Sequence, residues 1–278
     1  MEYDNQNKKI EGSFDYIFRE SCMDVKPIPL ENFEIFKEQE QNSIFKIIIN
    51  EKAIGTGFLC IIPFPTKLVQ LPVLITCIHV LKYEDVALGK KNNLQVNDKP
   101  PKIIVIDENR RTFTNNEYDI TIIEIKEKDG FNINKMLEID NDIDYESKLE
   151  DLYKGKSIYI IHYPYGISSN FSPGLIEKIE NNNIEIYHSC STENGSSGAS
   201  IIKLKIFKVI GIHIGKFKNE SFNCGNILKK PLDKFYILKR EKSTVSIDSY
   251  ETDKENKNDC QKLEPLKTNN IDEKNVIF

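Results

Sequence analysis

The sequence has 278 residues and a formal net charge of −5. That balance gives no basic footprint for nucleic acid, and no apolar stretch approaches the ~18 residues of a membrane span. Hydrophobic residues at 39 % and aromatics at 10 % suffice for a core, at a length that suits one large β domain or two small ones.

The chain opens on Met1-Glu2-Tyr3-Asp4-Asn5-Gln6-Asn7, polar and without the apolar region of a secretory signal. Six cysteines with no C-x-x-C pair are too sparse for a disulfide scaffold. The protein therefore reads as intracellular with mostly reduced thiols, Cys190 with Cys224 being the one pair considered for a bridge. Residues 1–42 read as a polar, irregular leader.

From Ser43 the pattern changes to short apolar, β-branched runs, the mark of strands. Ile44–Ile49, Ile54–Ile62, Val69–Cys77, Lys102–Ile106 and Asp119–Ile125 form a first group. The glycines at 55 and 57 mark a bulge or a close backbone contact. Residues 127–154 read as a polar connector between two units. Ser157–His162, Gly174–Ile179, Ile184–Tyr187, Ala199–Lys205, Lys208–Ile214 and Cys224–Leu228 form a second group.

Pro231 to Leu238 has apolar residues at helical spacing behind a leading Pro and predicts a terminal helix over about 231–239. The composition of 241–278 collapses to charged and small polar residues, which predicts a disordered charged tail. Many short strands in two groups with almost no central helix predict an all-β fold of two packed barrels, about 43–130 and 155–230, within one domain over 43–240.

Three positions carry the chemistry. His79 follows the apolar run Leu74-Ile75-Thr76-Cys77-Ile78, and Asp119 heads the strand Asp119-Ile120-Thr121-Ile122-Ile123. The turn Gly195-Ser196-Ser197-Gly198 precedes another strand and holds a hydroxyl at a fixed position, with Ser200 close behind. A serine hydroxyl is a weak nucleophile and needs a base; imidazole accepts its proton near neutral pH and returns it to a leaving amine. A carboxylate on the other ring nitrogen fixes the tautomer and stabilises the imidazolium.

Gly55-Thr56-Gly57-Phe58, Thr76-Cys77-Ile78-His79-Val80, Asp119-Ile120-Thr121-Ile122, Gly195-Ser196-Ser197-Gly198 and Gly211-Ile212-His213-Ile214-Gly215 occur in this order over residues 43–238. Together they resemble the trypsin-like, chymotrypsin-fold serine peptidases, nearest to the glutamyl endopeptidase-like branch. Ala199-Ser200 departs from the Gly or Ser followed by Pro that many members carry after the nucleophile.

The resemblance implies that the two barrels are six-stranded and antiparallel, and that the protein is a serine endopeptidase that works through an acyl-enzyme on a peptide or protein substrate. Its catalytic residues would be His79, Asp119 and Ser197, because of the three serines only Ser197 has the family's flanking glycines. The amides of Gly195 and Ser197 would form the oxyanion hole. Ser191 stands where Lys- or Arg-directed relatives carry Asp, and Thr192 and His213 match the pocket that binds a Glu side chain, with the charge of Glu193 nearby as a complication.

No cofactor and no metal is expected. His188 and Cys190 lack the spacing of a zinc motif, and Gly195–Gly198 has neither the Lys-Ser/Thr nor the following helix of a phosphate loop. His162 and His188 read as structural. The alternative reading is a catalytically silent double barrel that holds peptides or a partner at the cleft, and a weaker one is an enzyme latent until its N-terminus is processed.

Overall fold

A computed structural model describes residues 27–66, 68–144, 149–180, 182, 184–217, 221–248 and 276–277. Helix α1 (Asn32–Ser43) comes first, inside the segment read as an irregular leader; residues 1–26 lie outside the described residues. Only Phe36 gives this helix an apolar anchor. It is buried against Tyr159, Phe171 and Phe207, with ring centroids 4.8, 4.5 and 6.0 Å away. Gln39 Oε1 accepts the Tyr159 hydroxyl at 2.6 Å, so one buried face docks α1 onto the C-terminal half.

The first sheet grows from the β-branched runs. Ile44–Ile49 (β1) and Lys52–Pro63 (β2) pair as a hairpin through Asn50 and Glu51, both at positive φ (49° and 66°), the geometry whose twist matches a two-residue hairpin loop. Gln70–Thr76 (β3), Lys91–Gln95 (β4), Lys102–Val105 (β5), Thr112–Asn115 (β6) and Ile120–Glu124 (β7) complete it. The order is β5-β4-β1-β2-β3-β7-β6, with Leu137–Glu138 (β8) parallel to β2. This sheet is a curled half-barrel. It differs from the closed six-stranded barrel expected: it has two additional members, and among the described residues no pairing joins β5 to β6.

The segment read as a connector packs on the body. Phe131, Met136, Leu137, Ile143, Leu149 and Tyr153 are buried, and Leu149–Tyr153 forms the short helix α2. Buried Asp140 accepts the Tyr153 hydroxyl at 3.0 Å and the Lys203 ammonium at 3.2 Å.

The second sheet closes. Ser157–His162 (β9), Asn170–Glu180 (β10), Glu185–His188 (β11), Ser200–Lys203 (β12), Lys208–Phe217 (β13) and Asn223–Ile227 (β14) run in the order β12-β9-β10-β11-β14-β13, and β12 pairs back onto β13. Val276–Ile277 (β15) continues along β13 at Lys216 and Phe217. Helix α3 (Lys229–Asp248) extends beyond the predicted end and carries Phe235, which packs on Phe64 and Phe113 of the first half. The rest of the expected tail, 249–275 and 278, lies outside the described residues.

One apolar core runs through both halves, from Ile47, Phe58 and Ile75 to Ile160, Ile201 and Ile212. Each such side chain contributes roughly 1.5–3 kcal/mol on burial. The halves are stitched by backbone as well as packing. Asp140 N donates to Val209 O at 2.8 Å and Asn226 Nδ2 to Tyr118 O at 2.9 Å, the latter one residue before Asp119. Among the described residues, no helix is long and apolar enough to cross a membrane.

Candidate active site

His79 lies in the turn that ends β3, where the Val80 and Leu81 amides both donate to Cys77 O. Asp119 lies in the turn before β7 at φ 45°, a left-handed conformation that Asp tolerates better than most side chains. That conformation serves a specific geometry. One carboxylate oxygen accepts from His79 Nδ1 at 2.7 Å, and the other accepts the His79 backbone amide at 3.2 Å. The same group therefore fixes both the ring and the turn that carries it. Both side chains are about four-fifths buried, at 19 % and 18 % exposure, which preserves the strength of the contact.

The serine loop is held at its carbonyls. Glu193 O accepts from Ser196 N at 3.0 Å, Asn194 O from Tyr165 N at 2.5 Å, and Ser197 O from Thr56 N at 2.9 Å. Gly195 O accepts the Thr56 hydroxyl at 2.8 Å, and Tyr163 N donates to that same hydroxyl at 3.1 Å. With these carbonyls tied back, the peptide planes are fixed. Among the described residues neither the Gly195 nor the Ser197 amide donates to a protein group. Two amides left in a loop this constrained have the makings of an anion cradle.

The glycines of this loop are dictated by space. Gly198 has φ +90°, and a Cβ there would lie 2.0 Å from Thr56 O. Gly195 has φ +91°, and a Cβ would lie 2.6 Å from Tyr163 O. The G-x-G-F strand thus meets the G-x-S-G loop directly, and the close contact predicted for Gly55 is with Val80, beside His79, and with Ser197 O.

The His79 turn and the serine loop converge on one carbonyl. His213 O accepts Gly198 N at 2.8 Å and the Cys77 thiol at 3.4 Å. Of the three candidate serines, Ser196 and Ser200 are fully buried and Ser197 retains 8 % exposure. Ser197 Oγ donates to Ile214 O at 2.8 Å.

The two predicted pocket residues are placed differently. Thr192 is half-buried in the loop ahead of Ser197. His213 is buried on β13 and its Nδ1 lies 3.1 Å from Nε2 of buried His188. Burial, with His188 beside it, pushes the His213 pKa well below its usual range, so the ring is neutral at neutral pH. Glu193 is turned outward: its carboxylate accepts the exposed Tyr165 hydroxyl at 2.9 Å.

Among the described residues one group of metal-ligand types is assembled, Cys77, His79 and Asp119, with ligand atoms within 4.8 Å of one another. Burial and the Asp119 charge push the Cys77 thiol far up, against thiolate formation, and His79 Nδ1 and Asp119 are already engaged with each other. The donor set fits an oriented imidazole better than an ion. Among the described residues no disulfide joins Cys190 and Cys224. Both are buried inside the barrel, where burial pushes the Cys190 thiol up to about 12.

Sequence reasoning missed Thr56. Its only sequence signal was a place between two glycines, yet it holds the serine loop through side chain and backbone alike.

No protein-family model and no curated protein matches the chain. Solved structures do. A serine endoprotease from Yersinia pestis superposes with a TM-score of 0.53 at 14 % identity, over 76 % of this chain and 68 % of that one. The Rv3671c protease in its inactive form gives 0.50 at 16 %, over 75 % and 96 %. Deg5 gives 0.50 at 16 %, over 75 % and 95 %. At such identities the likeness speaks to architecture alone: the chain has the chymotrypsin-like double-barrel fold.

Proposed function

We propose that this protein is a serine endopeptidase in which Ser197 is the nucleophile, His79 the general base and Asp119 the group that orients it. The observation that carries the reading is the two-point contact between Asp119 and His79, at 2.7 and 3.2 Å, beside a serine loop whose carbonyls are tied back. The structures that the fold resembles are named as proteases, which supports the same reading.

In the reaction, the Ser197 hydroxyl leaves Ile214 O and gives its proton to His79 Nε2 as Oγ bonds to the substrate carbonyl carbon. His79 Nδ1–H stays on Asp119, which stabilises the imidazolium without taking the proton. The carbonyl oxygen, now an anion, accepts the Gly195 and Ser197 amides; losing one such donor typically costs ~3 kcal/mol of barrier. The imidazolium protonates the departing amine, and the C–N bond breaks to leave the acyl-enzyme. Water then repeats the sequence, releasing a carboxylic acid and restoring Ser197.

The side chain accepted at the cleaved bond is proposed to be Glu. Thr192 and His213 supply a hydroxyl and a neutral imidazole, and the outward turn of Glu193 keeps its charge on the exposed Tyr165. Recognition then rests on hydrogen bonds rather than on an ion pair. A peptide series differing only at that position tests this: kcat/KM for Glu is expected to exceed that for Leu, Phe and Lys, and faster cleavage after any of those three contradicts it.

The Ser197–Ile214 hydrogen bond favours a second reading, a double barrel that binds peptides without turning them over. The proton the nucleophile must give up is directed at a carbonyl in the folded state. Peptide binding with no cleavage by the wild type would support that module.

A further inference from the structure

We propose that His162 is a positioning residue for the nucleophile, acting through Ser196 to hold the loop that carries Ser197. The inference rests on the endopeptidase reading.

His162 closes β9 and is 2 % exposed. Its Nδ1 lies 2.7 Å from Ser196 Oγ and its Nε2 lies 3.0 Å from Ser172 Oγ on β10. Ser196 is fully buried and directly precedes Ser197. Within the loop, Glu193 N donates to Ser196 Oγ and Ser196 N donates to Glu193 O, both at 3.0 Å. Side chain and backbone of Ser196 therefore close the Glu193–Ser196 turn reciprocally.

The hydrogen inventory fixes the roles. A hydroxyl has one proton and two lone pairs. Ser196 Oγ uses one lone pair on the Glu193 amide, and Nδ1 of His162 is the one acceptor among the described residues for its buried proton, so that proton is assigned to Nδ1. That makes Nδ1 the acceptor and Nε2–H the donor to Ser172. The ring is thus a neutral tautomer with both nitrogens satisfied, and burial, which pushes its pKa down to about 4, keeps it so at neutral pH. Ser196 is fully buried, so its proton depends on Nδ1 for an acceptor.

The consequence for chemistry follows from where the turn leads. Gly195 lies inside it and Ser197 immediately follows it, so the two amides proposed to hold the oxyanion are aimed by the orientation of Ser196. If the Ser196 side chain rotates to find another acceptor, it releases Glu193 N and the turn loses its closure. The anchor belongs to barrel strands β9 and β10.

Full-length His162→Phe and His162→Asn test this. Phenylalanine fills similar space and accepts nothing; the Asn Oδ1 takes the place of Nδ1 as acceptor. In the Phe variant kcat on a peptide substrate is expected to fall about 10- to 100-fold with KM within about twofold, and the Asn variant is expected to recover most of that loss. Wild-type kcat in a folded Phe variant, or an equal loss in Phe and Asn variants, overturns the proposal. Should the Phe variant not fold, Ser196→Ala removes the same bond from the other side and is expected to lower kcat alike.

Hydrogen exchange at the Glu193 and Ser196 amides gives a readout independent of turnover. Exchange at both is expected to quicken in the Phe variant and to slow again in the Asn variant; unchanged exchange overturns the anchor. A wild type that exchanges as expected yet cleaves nothing refutes the endopeptidase reading and leaves the anchor standing.

Discussion

Thr56 Oγ1 donates a 2.8 Å hydrogen bond to Gly195 O, so a strand of the first sheet sets a peptide plane in the serine loop of the second. The same hydroxyl accepts Tyr163 N at 3.1 Å, and the residue is fully buried. Thr56→Val keeps the shape and removes the oxygen, leaving a buried carbonyl and a buried amide unpaired. A stability loss of about 1–3 kcal/mol is expected, with kcat falling by more than KM changes. Urea unfolding and steady-state kinetics on one preparation measure both; unchanged kcat would show that Gly195 needs no such support.

Asp119 serves two hydrogen bonds, one to the His79 ring and one to its backbone. Asp119→Asn still accepts at one oxygen but presents an NH2 to the other site, which favours the wrong imidazole tautomer. The loss expected in kcat is about four orders of magnitude, with little change in melting temperature. A loss under tenfold would remove Asp119 from the mechanism.

Gly198→Ala and Gly89→Ala separate strain from collision. Both positions have positive φ, +90° and +83°, but a Cβ at Gly198 meets Thr56 O at 2.0 Å and Thr76 Oγ1 at 2.4 Å, whereas none of the described atoms lies within 4 Å at Gly89. Gly89→Ala is expected to cost the ~1 kcal/mol of an unfavourable backbone region. Gly198→Ala is expected to cost about 4 kcal/mol or more and to abolish activity. Similar melting temperatures would contradict the packing around the loop.

Three buried histidines make the fold acid-sensitive. Burial lowers His162 to about 4 and His188 to about 3 from an ordinary 6.5, and lowers His213 as well. Each is neutral when folded, while the unfolded chain takes up protons as the pH falls below its ordinary value. The stability so contributed is present above that value. As the pH drops from there toward the folded pKa, each histidine loses about 1.4 kcal/mol of it per pH unit. Urea unfolding at neutral pH and near pH ~4 is expected to show the decline. His188→Asn has nothing to titrate there and is expected to decline less; an equal decline contradicts the assignment.

Much of this was legible where the sequence is strongly patterned. β1 and β9 were read with the observed bounds because each is dominated by apolar, β-branched residues, Ile44, Ile47, Ile48 and Ile49 in one and Ile158, Ile160 and Ile161 in the other. β4 and β6 were missed because Lys-Asn-Asn-Leu-Gln and Thr-Phe-Thr-Asn carry one apolar side chain each. In β4 buried Asn92 stands where a strand pattern calls for an apolar residue, its amide satisfied by Asp85 O at 3.0 Å. α1 escaped because Phe36 does most of its packing alone.

His79, Asp119 and Ser197 stood out because each occupies a local motif. Thr56 and His162 did not, since their partners lie 139 and 34 residues away and are an ordinary carbonyl and an ordinary serine. Local motifs single out candidate groups, whereas contacts such as those of Thr56 and His162 are formed only by the tertiary fold.

The most direct measurement is labelling of the purified full-length protein with a serine-reactive fluorophosphonate, beside Ser197→Ala and His79→Ala. The wild type is expected to label, Ser197→Ala not at all, and His79→Ala at a small fraction of the wild-type rate. A folded wild type that does not label, or labelling that survives in Ser197→Ala, would contradict an activated nucleophile at Ser197.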